Sequence, residues 1–250
     1  MLRDWEEMCP REWNEKWFKQ NPAYQYTSDA MEMGNVFETM VIGMSVGQKV
    51  TTPSEKLKKS IFYERIKTQV EVAKEYLKSL GGKKLAVQEY LKAIVIDSEG
   101  QEVPICGNLD IRYGWPDEPL RMAVIDLKLT GDNENTFGKF AWGNIEHMDC
   151  SQAFQYHLLV SYNFPKITRP EFYYDVFDVS AKLKFTPFQI VISDYTLYQH
   201  IERLSKAYFE ILDSQMFDSW KPIQQYNHCK ACKCKCPYEV KIPSIVVIEK

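Results

Sequence analysis

Apolar residues recur at helical spacing over the first third of the chain, and then the period changes. Between Asp29 and Ile42, the residues Met33, Val36, Phe37 and Met40 fall three or four apart, which predicts a helix. Pro53 and Ser54 open a longer one running to about residue 80. Its stripe is Leu57, Ile61, Ile66, Val70, Ala73 and Leu77, and Gly81-Gly82 stops it. Residues 4–18 read as one or two short aromatic-rich helices interrupted by Pro10. Residues 85–96 and 107–113 are instead rich in β-formers, joined through the turn Asp97-Ser98-Glu99-Gly100, and 122–129 is a third strand. A helix over 149–162, strands over 172–179 and 184–192, and a helix capped by Ser193-Asp194 and running to about 217 complete the pattern. Helices, three strands, a helix and two strands predict a mixed α/β domain whose sheet is covered by helices on both faces.

Composition narrows the class. The chain has 250 residues, 45% hydrophobic and 26% charged, which is the balance of a globular protein rather than a disordered or fibrous one. No apolar run is long enough to span a bilayer. Residues 1–7 are acidic, without the apolar stretch of a secretory signal, so the expected location is the cytoplasm of a prokaryote or a phage-infected host. The net charge of −3 means that a nucleic-acid partner would be held by local basic patches.

Two strings place charge inside otherwise apolar strands: Gly107-Asn108-Leu109-Asp110-Ile111-Arg112 and Val124-Ile125-Asp126-Leu127-Lys128-Leu129. Alternation puts Asp126 and Lys128 on one face of the second strand and Ile125, Leu127 and Leu129 on the other. A solvated face of surface ion pairs is one reading. The other follows from the cost of burying a carboxylate without compensation. If the two strands pair, Asp110 lies beside Asp126, and two carboxylates so placed make a hard oxygen site suited to Mg²⁺ or Mn²⁺. An adjacent ammonium would then stabilise charge building on a phosphate.

The G-x-x-D string followed by I-D-x-K resembles the PD-(D/E)xK nuclease superfamily, and within it the RecB-like exonuclease branch. Gln152-Ala153-Phe154-Gln155-Tyr156 is similar to its Q-x-x-x-Y helix, and Gly34-Asn35-Val36-Phe37-Glu38 to its upstream helix. The resemblance covers about residues 9–238. It implies a restriction-endonuclease-like α/β core, with a mixed central sheet flanked by helices and helical additions at both ends. It also implies a metal-dependent nuclease acting on DNA ends or single strands, alongside recombination or replication partners and with no membrane. Residue by residue, it implies that Glu38, Asp110, Asp126 and the Leu127 carbonyl bind Mg²⁺ or Mn²⁺. Lys128 would orient water and offset phosphate charge, and Gln152 and Tyr156 would contact DNA. Glu38 stands where many relatives have histidine, a departure that favours Mg²⁺. A non-catalytic DNA-end-binding or scaffold protein with the same fold is the alternative. Gln152, Tyr156 and Glu38 also fit plain helix surface or packing, and His147, His157 and Glu89 read as bystanders.

Seven cysteines remain, four of them as Cys229-Lys230-Ala231-Cys232-Lys233-Cys234-Lys235-Cys236. Without an export signal the run reads as metal-binding thiolates rather than a disulfide framework. The resemblance implies a [4Fe–4S] cluster on Cys9, Cys229, Cys232 and Cys236. The purely local alternative is Zn²⁺ on Cys229, Cys232, Cys234 and Cys236. Cys106 and Cys150 read as buried side chains. The expected organisation is a helical region over 1–82, a nuclease core over 83–220 and a cysteine-rich segment over 221–250, together one structural unit.

Overall fold

The computed structural model describes residues 5, 8–22, 28–43, 51–137, 140–167 and 169–220. Cys229, Cys232, Cys234 and Cys236 lie outside the described residues. In chain order the elements are α1 (Pro10–Trp13), α2 (Asp29–Ile42), α3 (Glu55–Lys58), α4 (Ile61–Ser79), β1 (Lys83–Ile96), β2 (Glu102–Trp115), β3 (Glu118–Thr130), α5 (Ser151–Asn163), β4 (Glu171–Asp178), β5 (Phe185–Gln189) and α6 (Asp194–Met216). The five strands form one sheet in the order β1-β2-β3-β4-β5. Neighbours run antiparallel except β3 and β4, which are parallel and joined through α5. This is the mixed α/β sheet flanked by helices that the sequence predicts.

β3 is central, and its run from Met122 to Leu127 is buried at every position, the mark of a strand covered on both faces. On one face, Val36 and Phe37 of α2 and Ile66, Val70, Ala73 and Leu77 of α4 pack against Ile111, Tyr113, Ile125, Leu127 and Phe177. On the other, α5 packs against β1, β2 and β4. Gly107 of β2 sits so close to α5 that a Cβ there would lie 2.8 Å from the Tyr156 ring and 2.9 Å from Leu159.

Three local expectations are corrected. Pro10 does not interrupt a helix but begins one, at a first-turn position where its missing N–H costs nothing, and the helix continues as a π-turn over Asn14–Phe18. The helix expected over 55–80 is two, because Lys59 ends α3 and the Ser60 hydroxyl donates back to the Leu57 carbonyl at 2.7 Å before α4 begins. Cys106 is exposed, since odd positions of β2 face the cores and even ones, from Glu102 to Asn108, face solvent.

The chain divides into two units, residues 27–202 and residues 1–26 with 203–250. The first holds the sheet. In the second, Trp5, Trp13, Ala207 and Ile211 form a small core, Trp13 stacks on Trp220 at 6.1 Å, and the Trp5 indole donates to Glu210 at 2.8 Å.

Candidate active site

β2 and β3 pair only as far as Ile111 opposite Ile125, and the two strands part immediately beyond. Asp110 and Asp126 are the next residues along each strand, so both carboxylates stand at the fork. On the far side of β2, the ladder with β1 steps from Val87–Ile111 to Glu89–Leu109 across Gln88, whose φ is +49°. Val87 and Ile111 belong to the α2/α4 core, whereas Gly107 abuts α5. The hairpin therefore changes the face it offers at the level of Asp110, and this turns the Asp110 side chain toward β3. There its Oδ2 accepts a hydrogen bond from the Leu127 N–H at 2.9 Å.

Asp126 is buried. Lys128, two residues on and on the same face, makes an ion pair with its Oδ2. Gln152 on α5 closes the arrangement: its Nε2 donates to Asp126 Oδ1 at 2.9 Å, and its Oε1 accepts from Lys128 Nζ at 3.1 Å. One turn later on the helix, Tyr156 lies 2.9 Å from Gln152 and donates to the Asn108 carbonyl at 2.6 Å. The Lys128 ammonium also rests 5.7 Å over the Tyr174 ring.

Glu38 enters from α2, one turn after Gly34, beside the buried Phe37. It shares a hydrogen bond with Asp110, while its Oε1 is buried with no partner among the described residues. Burial first and the Asp126 charge second raise the Glu38 carboxyl above its usual range. Burial, then Asp126 and Glu38, hold Asp110 well above its own. Burial and the Asp126 charge thus disfavour ionisation of Glu38 and Asp110 alike.

The sequence candidates Glu38, Asp110, Asp126, Lys128, Gln152 and Tyr156 converge here, with Leu127 between the two charged residues of β3. The donor set is all oxygen and orphans one buried carboxylate atom, so it fits a hard divalent cation in chemistry and in charge. Among the described residues, no three His, Cys, Asp or Glu side chains are gathered tightly enough to hold an ion as they stand. Asp126 is engaged by Lys128 and Gln152, and Asp110 by the Leu127 N–H. Cys9, in the other unit, is buried at the start of α1.

The bystanders separate. Glu89 forms a bidentate pair with Arg112, at 2.6 and 2.9 Å. His157 is buried and its pKa is lowered by that burial. The sequence reading missed Asp175 of β4, which lies opposite Leu127, fully buried, with neither oxygen hydrogen-bonded among the described residues. Burial and then the Asp126 charge push it up to about 7. The signal was weak in the sequence, because β4 also carries Glu171 and Asp178 at its ends.

No protein-family model matches the chain, and no curated protein matches it. Among solved structures, a crystal structure of a protein from Eubacterium rectale, named "Putative exonuclease", is similar with a TM-score of 0.54. The match covers 95% of this chain and 92% of that one, at 14% identity. The likeness shows a shared fold. Among the described residues, no helix is long and apolar enough to cross a membrane.

Proposed function

We propose that the protein is a metal-dependent DNA nuclease, most simply an exonuclease working on ends or single strands. The observation that carries the reading is the meeting of Glu38, Asp110 and Asp126 with Lys128 where β2 and β3 part. A non-catalytic DNA-binding protein would have no use for a buried Asp126 whose charge raises the pKa of two half-buried carboxyl groups, Glu38 and Asp110, around one lysine. The shared fold with the Eubacterium rectale protein supports the same reading.

In this proposal Asp110, Asp126 and Glu38, with the Leu127 carbonyl, would hold Mg²⁺ or Mn²⁺, which would supply Lewis-acid activation of water and offset charge on the phosphate. The residues of the chain do the rest. Lys128 supplies an ammonium that stabilises charge building on the phosphate oxygens and steers the attacking water. Gln152 holds Lys128 and Asp126 in register through its two amide bonds, a positioning role. Tyr156 anchors Gln152 and the Asn108 carbonyl of β2. Attack in line on phosphorus breaks the bond to one ester oxygen and leaves a phosphate and a hydroxyl. Cys9 with Cys229, Cys232 and Cys236 is proposed to bind a [4Fe–4S] cluster that staples the ends of the chain. The packing of Trp13 on Trp220, nine residues before Cys229, supports that closure.

The deciding experiment is purified protein on end-labelled single- and double-stranded DNA with Mg²⁺, Mn²⁺ or EDTA. Cleavage with metal and none in EDTA is expected. Binding without cleavage under all conditions would favour the scaffold alternative.

A further inference from the structure

The register that pairs Val87 with Ile111 and Glu89 with Leu109 sets Gln88 opposite Asp110, Tyr90 opposite Asn108 and Lys92 opposite Cys106. The outer half of this hairpin packs one face on α5, where Gly107 meets Tyr156 and Leu159, and turns its other face to solvent. α2 brings Glu38 to Asp110, and past that point Tyr90, Lys92, Cys106 and Asn108 are all exposed. The exposed face therefore begins at the carboxylate site and runs outward from it. Diagonal neighbours on paired strands stand about 7–8 Å apart, which puts Tyr90 one such step from Asp110.

Tyr90 is 59% exposed, yet its ring is tethered. Its hydroxyl donates to the Cys106 sulfur on the neighbouring strand, which ties the ring across the hairpin. Beside it, the Asn108 amide donates to the Gln88 side chain, and the Asn108 carbonyl accepts the Tyr156 hydroxyl at 2.6 Å. The tyrosine that supports Gln152 thus also fixes the strand next to Tyr90. The exposed Lys92 holds its ammonium 5.4 Å from the centre of the Tyr90 ring and has no carboxylate partner among the described residues. Glu89 is taken by Arg112. Apart from Asp110, the other acidic residues of the hairpin, Asp97, Glu99 and Glu102, gather at its turn. A phosphate is therefore attracted to the half of the face nearest the site and repelled at the tip.

We propose that Tyr90 and Lys92 form a subsite for one unpaired nucleotide adjoining the scissile phosphate: the base stacks on the Tyr90 ring, and the Lys92 ammonium holds a backbone phosphate. The proposal rests on the nuclease reading for its substrate class and adds to it the state of the strand. A base inside a duplex has both faces taken by its neighbours, so the subsite selects single strands and frayed ends. Stacking of a base on an aromatic ring is stronger than an exposed cation–π contact. An arriving base therefore displaces the ammonium from the ring, and the long side chain of Lys92 keeps it within reach of the phosphate. Every base has a face to stack, so the subsite carries no sequence preference. The acidic turn confines it to the nucleotide nearest the carboxylates.

The test is fluorescence anisotropy of labelled oligo-dT and of an abasic strand of the same length, bound to the full chain in EDTA so that nothing is cut. The native protein is expected to bind oligo-dT more tightly. Tyr90→Ala should weaken oligo-dT about tenfold and leave the abasic strand within about a factor of two, whereas Tyr90→Phe keeps the native affinity. Lys92→Ala should weaken both strands and reduce the slope of log affinity against log salt by about 0.7. These side chains are exposed, so melting should stay unchanged. Equal affinity of the native protein for the two strands, or equal loss on both in Tyr90→Ala, overturns the stacking, and an unchanged salt slope in Lys92→Ala overturns the phosphate contact. A change in sedimentation of the DNA-free protein on Tyr90→Ala would assign the face to a second copy of the chain and overturn the subsite. Cleavage with metal is scored separately. A protein that cuts DNA while Tyr90→Ala binds normally loses the subsite and keeps the nuclease reading, whereas stacking without cleavage does the reverse.

Discussion

The Asp110 carboxylate accepts the Leu127 backbone N–H at 2.9 Å, across the point where their strands cease to pair. A side chain thus takes over the ladder hydrogen bond that the strands relinquish, which ties the first acidic position to the backbone of the second. Substituting Asp110 therefore removes both a charge and a strand tie. Asp126 and Lys128 offer cleaner tests of chemistry.

Asp126→Ala should abolish cleavage, by about a thousandfold or more, while DNA binding in EDTA stays within about a factor of three. Lys128→Ala should lower kcat by about 10²- to 10³-fold with little change in the metal concentration needed for half-maximal rate. Single-turnover rates on end-labelled DNA against metal concentration separate the two. Full activity in either variant contradicts the assigned role.

Gln152→Ala removes bonds to Asp126, Lys128 and Tyr156 together. We expect about a tenfold fall in kcat with KM nearly unchanged, because a positioning group is lost and substrate contacts remain. Gln152→Glu should be worse, since it brings a further negative charge beside Asp126. A rise in KM alone would move Gln152 from positioning to DNA binding.

The carboxyl groups also predict a pH dependence of stability. The folded pKa values of Glu38 and Asp110 are raised, so the native state keeps protons that the unfolded chain has released. Stability is therefore greatest in acid and falls as pH rises through the raised values. Asp175, pushed up to about 7, contributes a slope of the same sign up to neutrality. Mn²⁺ or Mg²⁺ should favour the ionised carboxylates, so the rise in Tm that metal produces grows with pH. Melting curves from about pH 5 to about pH 8, with metal and with EDTA, check both slopes. Glu38→Gln should flatten the metal-dependent one and Asp175→Asn the other.

Gly107→Ala would push a methyl into Tyr156 and Leu159. We expect a loss of about 1–3 kcal/mol from overpacking, together with a loss of activity. Activity falls because the displaced Tyr156 is the partner of both Gln152 and the Asn108 carbonyl. Urea denaturation beside cleavage rates checks the pair of effects, and an unchanged midpoint would mean that α5 yields more easily than this packing implies.

Protein purified without oxygen should be brown, with the broad visible absorption of thiolate-bound iron–sulfur clusters. Cys9→Ser should bleach it, and Cys234→Ser should not. One zinc per chain that survives Cys9→Ser but is lost with Cys232→Ser would replace the cluster by the local site.

Much of this protein is legible in its residues. The helical stripe of Val36 and Phe37 and the apolar run of β3 mark their elements because burial repeats with the period of the backbone. Asp126 and Lys128 are placed on one face by strand alternation alone. What the sequence could not decide were the breaks in regularity. Ser60 interrupts a continuous apolar stripe, because its hydroxyl bond back to the Leu57 carbonyl is a local choice that periodicity does not register. Gln88 at φ +49° and the parting of β2 from β3 are equally invisible to alternation, yet they bring Asp110 into the site. Asp175 looked like any strand residue until the fold buried its carboxylate with no partner among the described residues. Hydrophobic period is written along the chain, but register, backbone flips and the company kept by a buried polar group depend on residues far apart in it, and only tertiary packing brings them together.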